Sequence, residues 1–226
     1  NFKENGELWL LKSLPKKPGQ IFFDVGAHVG KYSFEINKIM PKTRIYAFEP
    51  SSDTFIQLSK NIKNFPNIKA LEAGLSNQSS FAKIYQNEEI SEANSLDSLI
   101  IKIPYKKSYN VKLITGDEFL KKNNIKEKIL LLKIDVEGHE LNVLKGFSET
   151  FKKQKIDIAQ FERASAAHSS RILDFYNFFE DFPYYVGKLY PNFIEIYKNY
   201  NFALDEYIGS NWIAINKNSE FLSKNK

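Results

Sequence analysis

Cysteine is absent from the 226 residues, so neither a disulfide framework nor a thiolate-held metal is available. The same absence makes a reducing cytoplasm the expected compartment. No run approaches the roughly 20 apolar residues of a membrane-spanning helix, and no charged-then-apolar leader opens the chain, which predicts a soluble protein. The first residue is Asn1 and not methionine, and an upstream segment is expected before it. A concentrated basic stripe is also missing: 32 Lys and Arg are interspersed with 27 Asp and Glu, for a net charge of +5 and a pI near 9.0. That balance leans towards an anionic substrate and away from nucleic acid. Repeats and low-complexity linkers are absent too. So is an N-P-P-Y-type tetrapeptide, which further disfavours an enzyme that modifies nucleic-acid bases.

What is present is ordinary for one globular domain spanning residues 1–226, with 42% hydrophobic and 26% charged residues. After a lead-in over residues 1–20, strand-like runs alternate with helical patterns, which predicts an α/β fold. Residues 21–25 read as a buried strand, 30–40 as a helix stopped by Pro41, and 44–48 as a second strand. Phe55, Leu58 and Ile62 fall on one face of the next helix, and 68–75 read as a third strand. Residues 76–128 break the alternation and are expected to form an insertion over the active-site side, a lid or substrate flank holding strands "FAKIYQ" and "VKLIT" and a short helix near Phe119. Residues 129–136 are the strongest buried strand, followed by a short helix closed by Gly146. A strand over 156–161, an aromatic helix over 172–182, and the strands "FIEIY" and "NWIAIN" complete the pattern.

"DVGAHVG" joins the first strand to its helix through a glycine turn, where bare N–H groups and the positive helix end suit an anionic ligand group. It is not the dinucleotide fingerprint G-x-G-x-x-G, because Gly26 and Gly30 are four apart with His28 between them. Asp24, two residues before Gly26, would repel a pyrophosphate, which disfavours NAD. A ligand carrying a cation beside a carboxylate fits better, and S-adenosylmethionine has an ammonium, a sulfonium and a carboxylate in one moiety. Glu49 ends the next strand, where a carboxylate can accept from both ribose hydroxyls. Asp24, Gly26, His28, Gly30 and Glu49 are therefore the candidate cofactor residues. The alternative is that Asp24 caps the helix and Glu49 is a solvated strand end.

These residues resemble the FkbM-type class I methyltransferases in order along most of the chain. "DVGAHVGKYS" is similar to the family's cofactor loop, "YAFEPSSDTFIQLSKNI" to its ribose strand and helix, and "LLKIDVEGHELNVLKGF" to its most specific signature. "AGLSN" resembles the turn after the third strand, which adds Gly74, Leu75 and Ser76 to the cofactor residues. "ANSL" and "IAQFE" resemble the Asn/Ser-rich loop and the strand after the signature, which implies Asn94, Ser95 and Glu162 as substrate residues. "LITGD" stands where "VITLD" is commoner in the family, and the position of His139 varies there. The resemblance implies a Rossmann-like fold, a seven-stranded, mostly parallel sheet with helices on both faces. It also implies S-adenosylmethionine as cofactor, S-adenosylhomocysteine as product, and O-methylation of sugars or natural products.

Methyl transfer to a hydroxyl needs an aligned acceptor and a proton acceptor within about 3 Å. Asp135, Glu137 and His139 lie at or just past the end of the strongest strand and are the catalytic candidates, with helix or loop capping as the alternative for the acids, Glu140 included. His168 precedes a helix and reads as a cap or surface residue. Asp135, Glu137, Glu162 and a histidine are also the vocabulary of a divalent ion, though a carboxylate cluster beside a cationic cofactor needs none, so no metal ligands are assigned. The aromatic run "FYNFFEDFPYY" reads as core before it reads as a sugar-stacking wall. The expected acceptor is a sugar hydroxyl of a glycan, glycolipid or nucleotide-sugar. A polyketide, lipid or protein side chain, or a non-catalytic cofactor-binding role, are the alternatives.

Overall fold

In the computed structural model, residues 4–86, 107–163, 170–207 and 210–224 are described. The chain runs α1 (Glu7–Ser13), β1 (Ile21–Val25), α2 (Lys31–Ile39), β2 (Arg44–Phe48), α3 (Ser52–Ile62), β3 (Ile68–Leu71), β4 (Gly74–Leu75), β5 (Ser80–Gln86) and β6 (Lys107–Ile114). It continues through α4 (Gly116–Lys122), β7 (Ile129–Ile134), α5 (Glu140–Lys145), α6 (Ser148–Lys152), β8 (Ile156–Arg163), α7 (Ile172–Glu180), β9 (Tyr184–Leu189), β10 (Ile194–Ile196), a 3-10 turn (Phe202–Glu206), β11 (Ser210–Asn216) and α8 (Glu220–Lys224).

The main sheet has the order β10-β9-β11-β8-β7-β1-β2-β3. β3, β2, β1, β7 and β8 are parallel, and β11 lies antiparallel between β8 and β9. Eight strands replace the expected seven because the short β10 adds itself antiparallel to the outer edge of β9. β1 and β7 are buried along their whole length, as central parallel strands covered on both faces must be. One face packs Phe23, Phe48, Ile134, Phe161 and Trp212 against Phe147, Phe151 and Phe175. The other packs Phe22, Leu131, Ile158 and Ile213 against Leu10, Ile36, Leu58 and Phe221 of the α1, α2, α3 and α8 side.

Three local expectations need correction. Residues 68–75 are not one strand: the chain turns at Glu72 and Ala73, so that Gly74 and Leu75 pair with Leu113 and Ile114 in a separate sheet, β4-β6-β5. The aromatic stretch does not stay helical to residue 182; α7 ends at Glu180 and Tyr184 opens β9, an unanticipated strand. The lead-in contains α1, whose Leu10 and Leu11 are fully buried. The core reading of the aromatic run holds, since Phe151 meets Phe178, Phe179, Phe182 and Tyr184 at 5.2 to 5.9 Å between ring centroids.

The described part of the insertion docks through α4. Phe119 sits 5.0 to 5.8 Å from the rings of Phe23, Tyr46 and Phe48. Thr115 caps α4 by accepting from Glu118 N–H at 3.0 Å, and the Asp117 carboxylate accepts the N–H groups of Glu149 and Thr150 at the start of α6. "LITGD" has a steric reason here: the Phe147 ring occupies the space a side chain at Gly116 would need.

Candidate functional site

The carboxyl ends of β1, β2, β7 and β8 meet at one edge, and the loops there are held by backbone constraints. Gly26, His28 and Gly30 all have positive φ (82°, 50° and 92°). Gly26 and Ala27 both donate to the Phe48 carbonyl, at 3.0 and 2.9 Å. A Cβ on Gly26 would overlap the carbonyl oxygen of Asp135, so the β1 and β7 loops touch through bare backbone.

Glu49 is buried and closes the glycine loop from the β2 side. One carboxylate oxygen accepts from His28 N–H at 3.0 Å and the other from Ser51 N–H at 2.9 Å. Burial pushes its pKa up to about 7 in spite of those bonds. Asp24 is 2% exposed and accepts from the Ser33 hydroxyl at 2.6 Å; burial lifts it to about 6.

Asp24 belongs to a polar network inside the sheet's second face. Register places Asp24, Lys133 and Gln160 side by side on β1, β7 and β8. Lys133, 3% exposed, holds Asp135 at 3.0 Å and faces Glu7 at 3.6 Å. Burial alone would depress Lys133, but Asp135 and Glu7 more than offset it and its pKa rises. Gln160 donates to Glu7 and Asn211 and accepts from the Tyr32 hydroxyl at 2.9 Å. Sequence reasoning missed Glu7, Lys133 and Gln160. The available signal was a lysine and a glutamine inside otherwise apolar strands.

Beyond β7, Glu137 and Gly138 have positive φ (54° and 104°). Glu140, not Glu137, caps this loop by accepting from Val136 N–H at 3.2 Å and Gly138 N–H at 3.0 Å. Glu137 is exposed, and its pKa is raised to about 7 by partial burial and then by repulsion from Asp135 and Glu162. Glu162 is raised by burial and by Asp135. The three acids therefore form one cluster. His139 is committed differently: Nδ1 faces the Asn142 amide nitrogen at 3.1 Å and Nε2 faces Ser76 Oγ at 2.9 Å. An amide nitrogen only donates, so Nδ1 accepts and Nε2 carries the proton to Ser76. Burial lowers the His139 pKa.

Ser76 is thereby tied to the β7 loop, and its carbonyl lies where a side chain on Gly146 would go. Gly74 and Leu75 are buried strand residues of the small sheet, with Leu75 in the core. Asn94, Ser95 and His168, and residues 87–106 of the segment expected to form a lid or substrate flank, lie outside the described residues. Among the described residues no group of three or more His, Asp or Glu is disposed to hold a metal ion.

The methyltransferase FkbM domain matches residues 24–208. The chain belongs to the FkbM methyltransferase family. The hexuronic acid methyltransferase AglP of Haloferax volcanii is 32% identical over 141 residues, 62% of this chain and 55% of that protein. Methyltransferase sdnD of Sordaria araneosa is 29% identical over 167 residues, 62% of this chain and 64% of that protein. The chain thus spans 55% to 64% of the length of these curated relatives. The crystal structure of methyltransferase FkbM from Methylobacillus flagellatus KT superposes with a TM-score of 0.55 at 16% identity, over 88% of this chain and 43% of that one. The fold is class I and Rossmann-like. The FkbM match opens at Asp24, so Glu7 and α1 lie outside the matched residues.

Proposed function

We propose that the protein transfers a methyl group from S-adenosylmethionine to a sugar hydroxyl. The observation that carries this reading is one sheet edge where a glycine loop, two buried acids and a three-carboxylate cluster meet. Asp24, Gly26, His28, Gly30 and Glu49 would hold the cofactor, with Ser76 and the backbone of Gly74 and Leu75 alongside. The residues fit it. The glycine loop closes through bare backbone on Asp135, and burial lifts the Asp24 and Glu49 carboxyls to about 6 and 7, where a bound cation would favour their ionised form. When bound, the cofactor supplies an electrophilic methyl on its sulfonium.

The protein's own residues then have divided roles. Asp135, fixed by Lys133, orients the acceptor hydroxyl. Glu137 removes its proton, because a base with a pKa near 7 is matched to neutral pH. His139 is structural: both ring nitrogens are engaged, and it joins the β7 loop to Ser76. Glu162 contacts the acceptor from β8. Metal assistance is not part of the proposal, and neither is a nucleic-acid acceptor.

The sugar is supported by the similarity to the hexuronic acid methyltransferase of Haloferax volcanii. Among the described residues no helix is long and apolar enough to cross a membrane. Mass spectrometry of host glycans, with the gene intact and deleted, tests the acceptor: one methylene of mass should vanish from one glycan. Loss of the increment from a polyketide, lipid or protein instead would overturn the sugar reading. Retention of every methylated species would overturn the activity.

A further inference from the structure

A second polar and aromatic cluster stands at the same sheet edge, away from the acids. β8 and β9 both pair antiparallel with β11, so β9 runs parallel to β8 and its end emerges at the same sheet edge as the carboxylate cluster. Register continues Ile134 of β7 through Phe161, Trp212 and Lys188 on β9. Three strand spacings separate the ends of that row, roughly 14 Å.

Lys188 is held between two tyrosines, its Nζ 3.6 Å from the Tyr207 ring centroid and 4.5 Å from that of Tyr190. Its carboxylate neighbour across the strands, Glu195, is engaged by the Tyr197 hydroxyl at 2.7 Å. Tyr190 stacks on Phe193 at 4.6 Å with 8° between the ring planes. The surface is open, with Tyr207 38% and Phe193 49% exposed. Trp212 lies 6.5 Å from Tyr207 and is fully buried, yet its indole N–H has no acceptor among the described residues. A buried donor without a partner costs about 1 to 3 kcal/mol, so such a group marks a place where an acceptor belongs.

We infer that Lys188, Tyr190, Tyr207 and Trp212 form an acceptor subsite for a sugar ring that carries one carboxylate. Aromatic faces suit the C–H face of a sugar, a cation suits an anion, and an indole N–H suits a sugar oxygen. Lys188 is a single cation that Glu195 partly offsets, so the subsite suits at most one negative charge and not a dianion, which favours a uronate over a phosphate. The distance to β7 means that the ring at this subsite is not the ring that is methylated. The acceptor is therefore an oligosaccharide with an acidic residue set back from the modified one. The inference rests on sugar methylation for its biological sense, while the binding chemistry stands separately.

The test is an NMR titration of the full chain, saturated with S-adenosylhomocysteine, using methyl glucuronide and methyl glucoside. The chain has two tryptophans, Trp9 and Trp212, so the reporting indole is readily assigned. The uronide should shift the Trp212 indole and leave Trp9 still, and should bind about 10-fold more tightly than the glucoside, the scale of one good charge pair. Lys188→Gln should reduce the uronide to the level of the glucoside, Lys188→Arg should keep the preference, and Tyr207→Ala should weaken both sugars. Equal binding of the two sugars, a silent Trp212, or an undiminished preference in Lys188→Gln each overturns the subsite. Transfer of labelled methyl is scored in parallel on acidic oligosaccharides. Uronide binding with methyl transfer only to non-sugar acceptors would end the function proposed above and leave the subsite standing. Glycan methylation indifferent to Lys188→Gln would do the reverse.

Discussion

Replacing Gly26 by alanine places a methyl group against the carbonyl of Asp135, and that carbonyl is backbone, so no side chain can swing aside. Two costs follow, and they can be separated. The first is the positive φ of 82°, which costs an alanine about 1 to 2 kcal/mol. The second is the collision, which parts the β1 and β7 loops by more than about 1 Å before ordinary van der Waals distance is restored. Gly30 provides the control. Its φ is 92°, but a Cβ there would meet the flexible end of Leu58 at 2.9 Å, and Leu58 can yield. Gly30→Ala should therefore lower the melting temperature by roughly 2 to 8 °C for a chain of this size and keep most activity. Gly26→Ala should lower it at least as far and also lose about 100-fold in kcat/KM, because Asp135 moves with its backbone and a misplacement of that order has such an effect. Differential scanning calorimetry and a labelled-methyl assay on both variants read the two costs. If Gly26→Ala retains the activity of Gly30→Ala, contact between the two loops does not position Asp135, and the reasoning fails.

Glu137 must be ionised to take a proton, and its pKa is raised to about 7, so the rate should climb as pH rises through 7. Glu137→Gln should remove that limb and lower kcat about 100-fold; an unaltered pH profile would exclude Glu137 as the base. Lys133→Met should destabilise by about 3 to 5 kcal/mol in urea unfolding, since Asp135 and Glu7 lose their shared cation, and Glu7→Gln added to it should recover part of the loss. Simple additivity of the two changes would argue against the pairing. Asp24, Glu49 and Glu140 have folded pKa values of about 6, 7 and 7, above their unfolded values, so they hold stabilising protons below pH 4 and lose that contribution as pH rises through 6 to 7. Ligand-free protein should therefore show this contribution falling between about pH 4 and 7, with a smaller fall in Glu140→Gln; equal slopes for the two proteins would contradict it.

β1 and β7 were legible because five or six consecutive buried residues leave no helical or alternating option. Asp24 and Glu49 stood out for the same reason: an acid at the end of an apolar run has a purpose. β9 was not legible, because "DFPYYVGKL" continues the aromatic content of α7 and only tertiary pairing with β11 makes it a strand. The break between β3 and β4 was hidden likewise, since Glu72 and Ala73 carry no turn signature and the second sheet that captures Gly74 is built from distant residues. The carboxylates of the β7 loop could be collected from sequence, but not their division of labour. Glu140 caps while Glu137 stays open, and that depends on two consecutive left-handed residues. Glu7 meets Gln160 across 153 positions, and local pattern has no means of joining them.

The family's matched region begins in the middle of β1, and this has a practical side for anyone who expresses or truncates the protein. A fragment cut at residue 24 would lose Ile21, Phe22 and Phe23 from the central strand, along with Leu10 and Leu11. It would also leave the Lys133 ammonium without Glu7, on a face newly opened to water. Such a fragment keeps the matched motifs and discards core that covers one face of the central sheet. The smallest autonomous unit therefore includes α1, and boundaries for expression belong upstream of Glu7.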